Sequence, residues 1–156
     1  MTKIKTNKGF TLIEILIVIG IIAILAGIVI VAINPARQFA QARDSQRMSN
    51  LNTILNAVGQ KMADSKGVFA GGTPNCPALP TAAQPIYDDN SGGIGTVDFS
   101  CLAPTYIPVL PSDPTAASGH NMGYQIYAEA TNGRVHVIAP TLEPTIPRGA
   151  ALEVVR

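Results

Sequence analysis

Nineteen consecutive residues, Ile15 to Ile33, carry no polar side chain, and a carboxylate, Glu14, stands at their leading edge. As a helix the run spans about 28 Å, close to the ~30 Å hydrocarbon core of a bilayer. Such a run argues against an ordinary soluble domain. The lysines before it (Lys3, Lys5, Lys8) suggest a secretory signal, with Ala40-Gln41-Ala42 as a small-residue cleavage site. The run is longer than the usual apolar core of about 7–15 residues in such signals. No cysteine ends it, so a lipoprotein anchor has no acceptor thiol. A lone carboxylate in an apolar helix costs ~2.5–3.5 kcal/mol at the bilayer centre and less near its edge. No Lys, Arg or His lies within one turn downstream of Glu14. Its partner comes from another chain, or it rests at the headgroup level.

The chain has 156 residues and a formal net charge of +1, which argues against a dedicated nucleic-acid binder. Charge is segregated: residues 1–13 and 34–66 each carry +3, and residues 67–156 carry −4. A basic stalk and an acidic head are either complementary surfaces of neighbouring subunits or two solvated faces screened over ~10 Å. Two cysteines cannot build a four-thiolate metal site, and Cys76 and Cys101 do not form a Cys-x-x-Cys motif. No phosphate loop, His-Glu-x-x-His or nucleophile elbow occurs, so an enzymatic reading has no residues to rest on and no cofactor is implied.

Asn34-Pro35 predicts a kink or short break after the apolar run. Residues 36–66 then read as an amphipathic helix. Met48, Leu51, Leu55, Val58 and Met62, with Ile54 beside them, form a helical stripe. Arg43, Asp44, Arg47, Asn50, Lys61 and Asp64 mostly fill the other face. The stripe is expected to pack on the protein's own β-region, with a dimerising coiled coil as the alternative.

Residues 67–156 hold 11 of the 12 prolines and 10 of the 14 glycines, which implies many turns and short strands. Asn132-Gly133 predicts a two-residue type I′ hairpin. Counting back pairs Ala130 with Val135, Ala128 with Val137 and Ile126 with Ala139, with the apolar sets on one face. His136 then lies opposite Glu129, an exposed cross-strand pair rather than a catalytic one.

Lys8-Gly9-Phe10-Thr11-Leu12-Ile13-Glu14, followed by the unbroken apolar run, resembles the processing site of type IV prepilins and type II secretion pseudopilins. The Pro-rich Tyr106–Pro114 stretch resembles a segment before the closing hairpin of pilin-like proteins; residues 67–105 match no family pattern. The resemblance implies cleavage by a prepilin peptidase between Gly9 and Phe10, N-methylation of Phe10, and a subunit-assembly role for Glu14. The freed amine of Phe10 would neutralise the Glu14 of a neighbour in a bundle of staggered helices, or reach its own Glu14. It also implies a leader inside and a head in an oxidising exterior. There Cys76 and Cys101 would form a disulfide, or else remain two buried thiols. Some pseudopilins bind calcium in the head, which draws attention to Asp88, Asp89 and Asp98. An EF-hand fails because Phe99 stands at the twelfth position, and a solvated turn is the expected reading, with no metal.

The expected fold is α+β: a long N-terminal helix, membrane-spanning in its first half and amphipathic in its second, packed on a small antiparallel β-sheet head in the pilin manner. The expected organisation is a cleaved leader at 1–9, an assembly helix at 10–34, a stalk helix at 35–66 and a head at 67–156. The expected function is that of a prepilin, a structural subunit of a type IV pilus-like filament. Its partners would be copies of itself, the prepilin peptidase, an inner-membrane assembly platform and motor, and membrane lipid before assembly. It would sit as a single-pass protein of the bacterial inner membrane, head outside, then enter an extracellular or periplasmic filament. The alternatives are a type II secretion pseudopilin, a monomeric membrane-anchored binding protein, and a conventionally secreted protein cut after Ala42.

Overall fold

A computed structural model describes residues 9–73, 75–147 and 150–156. The chain divides into two units, Met1–Gln38 and Phe39–Arg156. Residues 1–8 of the expected leader (1–9) lie outside the described residues. In the first unit, helix α1 runs over Leu12–Ile33, and none of its residues is buried. It is long and apolar enough to cross a membrane, with a mean hydropathy of 3.4. It ends at Asn34, which takes a left-handed conformation with φ 48°. The physical reason is local. The residue before a proline is pushed out of the α region, and asparagine tolerates the left-handed well better than most residues. Helix α2 (Pro35–Asp64) opens with proline at its first position, where the missing N–H has no intrahelical partner to lose. The Asn34 side chain accepts from the Arg37 N–H at 3.4 Å. One residue thus closes the first helix and caps the second.

Within the second unit, α2 closes with the Gly67 N–H donating to the Met62 carbonyl at 2.7 Å. Lys66 takes φ 57° just before it. That is a Schellman closure with lysine, rather than glycine, in the left-handed position. Among the described residues the sheet holds five strands: β1 (Gln84–Tyr87), β2 (Val97–Asp98), β3 (Asn121–Ala128), β4 (Val135–Ala139) and β5 (Leu152–Val155). Their spatial order is β2-β1-β3-β4-β5. β1 and β2 are parallel, and the other neighbours are antiparallel. The architecture is α+β and pilin-like.

The core joins one face of α2 to one face of the sheet. Leu51, Ile54, Leu55, Ala57 and Val58 bury against a cluster that includes Tyr124, Ile126, Val135, Val137 and Ala139. Each large aliphatic side chain so placed contributes about 1.5–3 kcal/mol. Alternation on β3 puts Met122, Tyr124 and Ile126 inward. The stripe of α2 therefore packs on the chain's own sheet.

The hairpin differs from the sequence expectation. Ile126 pairs with Val137, and Ala128 with Val135. The connection is a four-residue loop, closed by the Glu129 N–H donating to the Arg134 carbonyl at 2.8 Å. A type I′ turn needs positive φ at both central residues. Gly133 has it and Asn132 does not; the Asn132 side chain instead accepts from the Arg134 N–H at 2.9 Å. The register slides by two, an even number, so the same side chains still face the core.

Candidate functional site

At the N-terminal edge of α1, Gly9 and Phe10 precede the helix and are exposed, Phe10 at 85%. Thr11 is the N-cap, and its hydroxyl accepts from the Glu14 N–H at 3.3 Å. Glu14 reaches back: its Oε2 accepts from the Thr11 N–H and from the Thr11 hydroxyl, both at 2.8 Å. This is a reciprocal capping box, which satisfies two helix-terminal donors. Sequence reasoning sought a partner downstream of Glu14 or on another chain and passed over the upstream Thr-x-x-Glu spacing that signals it. The helix dipole adds to the preference for a carboxylate here.

A second polar cluster lies inside the head unit. Arg47 is fully buried. Its Nε donates to Asp113 Oδ2 at 2.7 Å, its Nη1 to Asp44 at 3.1 Å and to Glu143, and its Nη2 to the Thr115 hydroxyl at 2.6 Å. Arg43 Nε donates to the Glu143 oxygen that Arg47 also reaches, Oε1, at 2.8 Å. Asp113 also accepts from the Thr115 and Ala116 N–H groups, both at 2.8 Å. The bond from Arg43, reinforced by Arg47, holds the Glu143 carboxyl at about 2. Burial works against ionisation of Asp113, but the Arg47 bond and the two backbone donors outweigh it and hold its pKa low. Burial likewise opposes the charge on Arg47, and the bonds it donates to Asp113 and Glu143 overcome it and raise its pKa. The cluster ties α2 to two loops far away in sequence.

This corrects the helix-face assignment. Asp44, Arg47 and Lys61 are buried, not solvated. Lys61 Nζ donates to the Ser65 hydroxyl at 2.9 Å. A signal was available: stepping back from Leu51 by 4, 3 and 4 lands on Arg47, Asp44 and the buried Ala40. Part of the basic stalk and acidic head is thus paired within one chain.

Cys76 and Cys101 are joined in a disulfide. Asp88 and Asp89 converge on His120, whose Nδ1 lies 2.8 Å and 3.1 Å from their carboxylates. The Asp88 bond, with Asp89 beside it, raises the His120 pKa. Asp98 is not in this group; it accepts from the Ser100 N–H at 2.8 Å, because β2 carries it into the turn that follows. His136 is buried rather than exposed and pairs across the strands with Tyr127. It lies between Glu153, 2.6 Å from Nδ1, and Glu129, 3.0 Å from Nε2.

An apolar helix with a capped carboxylate at its start, followed in the chain by a mostly antiparallel sheet, is a pilin-like architecture. Residues 4–30 match the prokaryotic N-terminal methylation motif, a class III signal peptide and the hallmark of type IV pilins and pseudopilins. The chain carries that hallmark, and the motif supports a pilin-like or pseudopilin precursor. The matched motif is a structural one and not that of an enzyme family. The motif and the apolar helix α1 fit inner-membrane anchoring with the head outside. No curated protein and no solved structure matched the chain.

Proposed function

We propose that this chain is a prepilin, cut between Gly9 and Phe10, N-methylated on Phe10 and polymerised through α1 into a type IV pilus-like filament. The observation that carries the proposal is the pairing of a wholly unburied apolar helix with a carboxylate at its first turn, inside a matched processing motif. Both Thr11 bonds fall on Oε2 of Glu14. A carboxylate accepts at both oxygens, so the local cap and an ammonium from a neighbouring Phe10 are compatible. Apolar helices would leave lipid for one another, which exchanges one apolar surrounding for another. Specificity would then come from the charge pair: breaking a buried pair by removing one partner costs ~3–5 kcal/mol. An external platform and motor would supply the work.

N-terminal mass spectrometry of the mature chain tests the reading. Methyl-Phe10 supports it, Met1 indicates a tethered monomer, and Arg43 indicates conventional secretion. Gly9→Val should leave an unshifted full-length precursor in the membrane. Glu14→Gln keeps a capping side chain but loses the charge, so it should be processed and poorly assembled, as should Glu14→Ala. Normal filament yield from Glu14→Ala refutes the pairing. Imaging sheared surface material separates a surface pilus from a secretion pseudopilus.

A further inference from the structure

We propose that the heads of successive subunits join head to tail, with Ile94 of one copy entering an apolar pocket of a second copy of this chain. The inference rests on the filament reading and adds to it the head contact that sets subunit register. Ile94 is the most exposed large apolar side chain of the head, at 107% of its reference exposure. It lies between the 3-10 turn Asn90–Gly92 and β2. Gly93 and Gly95 flank it with φ of 73° and 86°, and a Cβ at either would meet nothing within 4 Å. The backbone thus turns outward on both sides of Ile94 and presents its side chain away from the head.

A receiving site exists on the same unit. Leu55, Val58 and Met62 of α2, with Val135 of β4 and Arg156, line a cavity of about 270 Å³, roomy enough for a branched aliphatic side chain. Strand order separates the two features. The Ile94 loop runs into β2, at one edge of the sheet, whereas the cavity lies by β4 and the end of β5, at the other. Charge matches as well. Asp88, Asp89 and Asp98 flank the Ile94 loop in sequence, with His120 offsetting one of them when protonated. Arg156, which lines the cavity, is exposed, and so is Arg134, which lies in the chain between the lining residues Gly133 and Val135. A protrusion and a pocket on different faces make a heterologous contact, which propagates as an open helix unless its rotation closes a ring. That geometry suits a second copy of the chain as the occupant.

The test uses the full chain in a host that carries the assembly machinery, with wild-type filament yield as reference. Ile94→Asp should lower sheared filament yield at least tenfold, while processed subunit stays at its wild-type level in the membrane. Ile94→Leu should restore it. Ile94→Cys combined with Met62→Cys should give filaments that run, after mild oxidation, as a reducible ladder of dimers, trimers and higher species, with neither single variant passing dimer. Wild-type yield from Ile94→Asp, or double-cysteine filaments that stay monomeric, overturns the contact alone. A wild-type chain that is processed at Phe10 yet forms no filament overturns the filament reading and this contact with it.

Discussion

Arg47 shows how much one side chain organises in this head. Its guanidinium meets Asp44, Asp113 and Glu143 with no exposure to water. Desolvating these charges is expensive, so the cluster holds only while every partner is present. Arg47→Met should lower the unfolding free energy of the detergent-solubilised chain by about 3–5 kcal/mol, read from a urea titration, because three carboxylates lose their common partner. The pH dependence has a defined sign. Asp113 and Glu143 both have depressed pKa values, and that of Glu143 falls from 4.5 to about 2. Their contribution is therefore complete above the ordinary carboxylate range and is lost as pH falls below it, for Glu143 from about 4.5 toward 2. A thermal melt series across that window should show the loss, and Glu143→Gln should shrink the slope. At this scale the sequence was only partly legible. The 3-4 stripe continued through Arg47 and Asp44, but charge was read as a mark of solvent. Glu143 lies 96 residues from Arg47, and no local pattern announces a partner at that distance.

At the scale of elements, β3 carries a glycine whose place is set by a loop. Gly123 has φ 78°, and a Cβ there would lie 2.7 Å from the Asp113 Cβ and 3.1 Å from backbone of Ala116 and Ala117. Gly123→Ala should therefore push away the loop that holds Asp113. A loss of about 1–3 kcal/mol is expected for a strained residue, together with a weaker acid transition, since the Arg47 cluster is disturbed. The helices were legible because a 19-residue apolar run, Asn34-Pro35 and a regular stripe each carry a local cause. The face of the hairpin was legible from alternation, but its register was not, because Asn132 spends its side chain on the Arg134 N–H instead of adopting positive φ. Strands β1, β2 and β5 span only two to four residues, too short for periodicity to declare itself. The disulfide closes a separation of 25 residues in this turn-rich stretch. Loop-closure entropy puts its worth at about 3–4 kcal/mol, so Cys76→Ser with Cys101→Ser should melt well below the native chain under non-reducing conditions, and the two should converge in reductant.

For the whole molecule, the division of labour lies along the sequence. Among the described residues, all that are buried lie at Ala40 or beyond, and α1 buries none. A fragment beginning at Phe39 should therefore fold as a soluble head, with a melting temperature within a few degrees of the detergent-solubilised chain; a molten or aggregated fragment would show that the anchor contributes to the core. The cross-link within that head carries a consequence for timing. Thiols are kept reduced in the cytosol of most cells and oxidise once outside it. On the proposed reading, with the head outside, the stretch between Cys76 and Cys101 would gain its covalent clasp only after export. A newly made chain would reach the translocation machinery with this part of its head still pliable, and maturation would lock it on the far side.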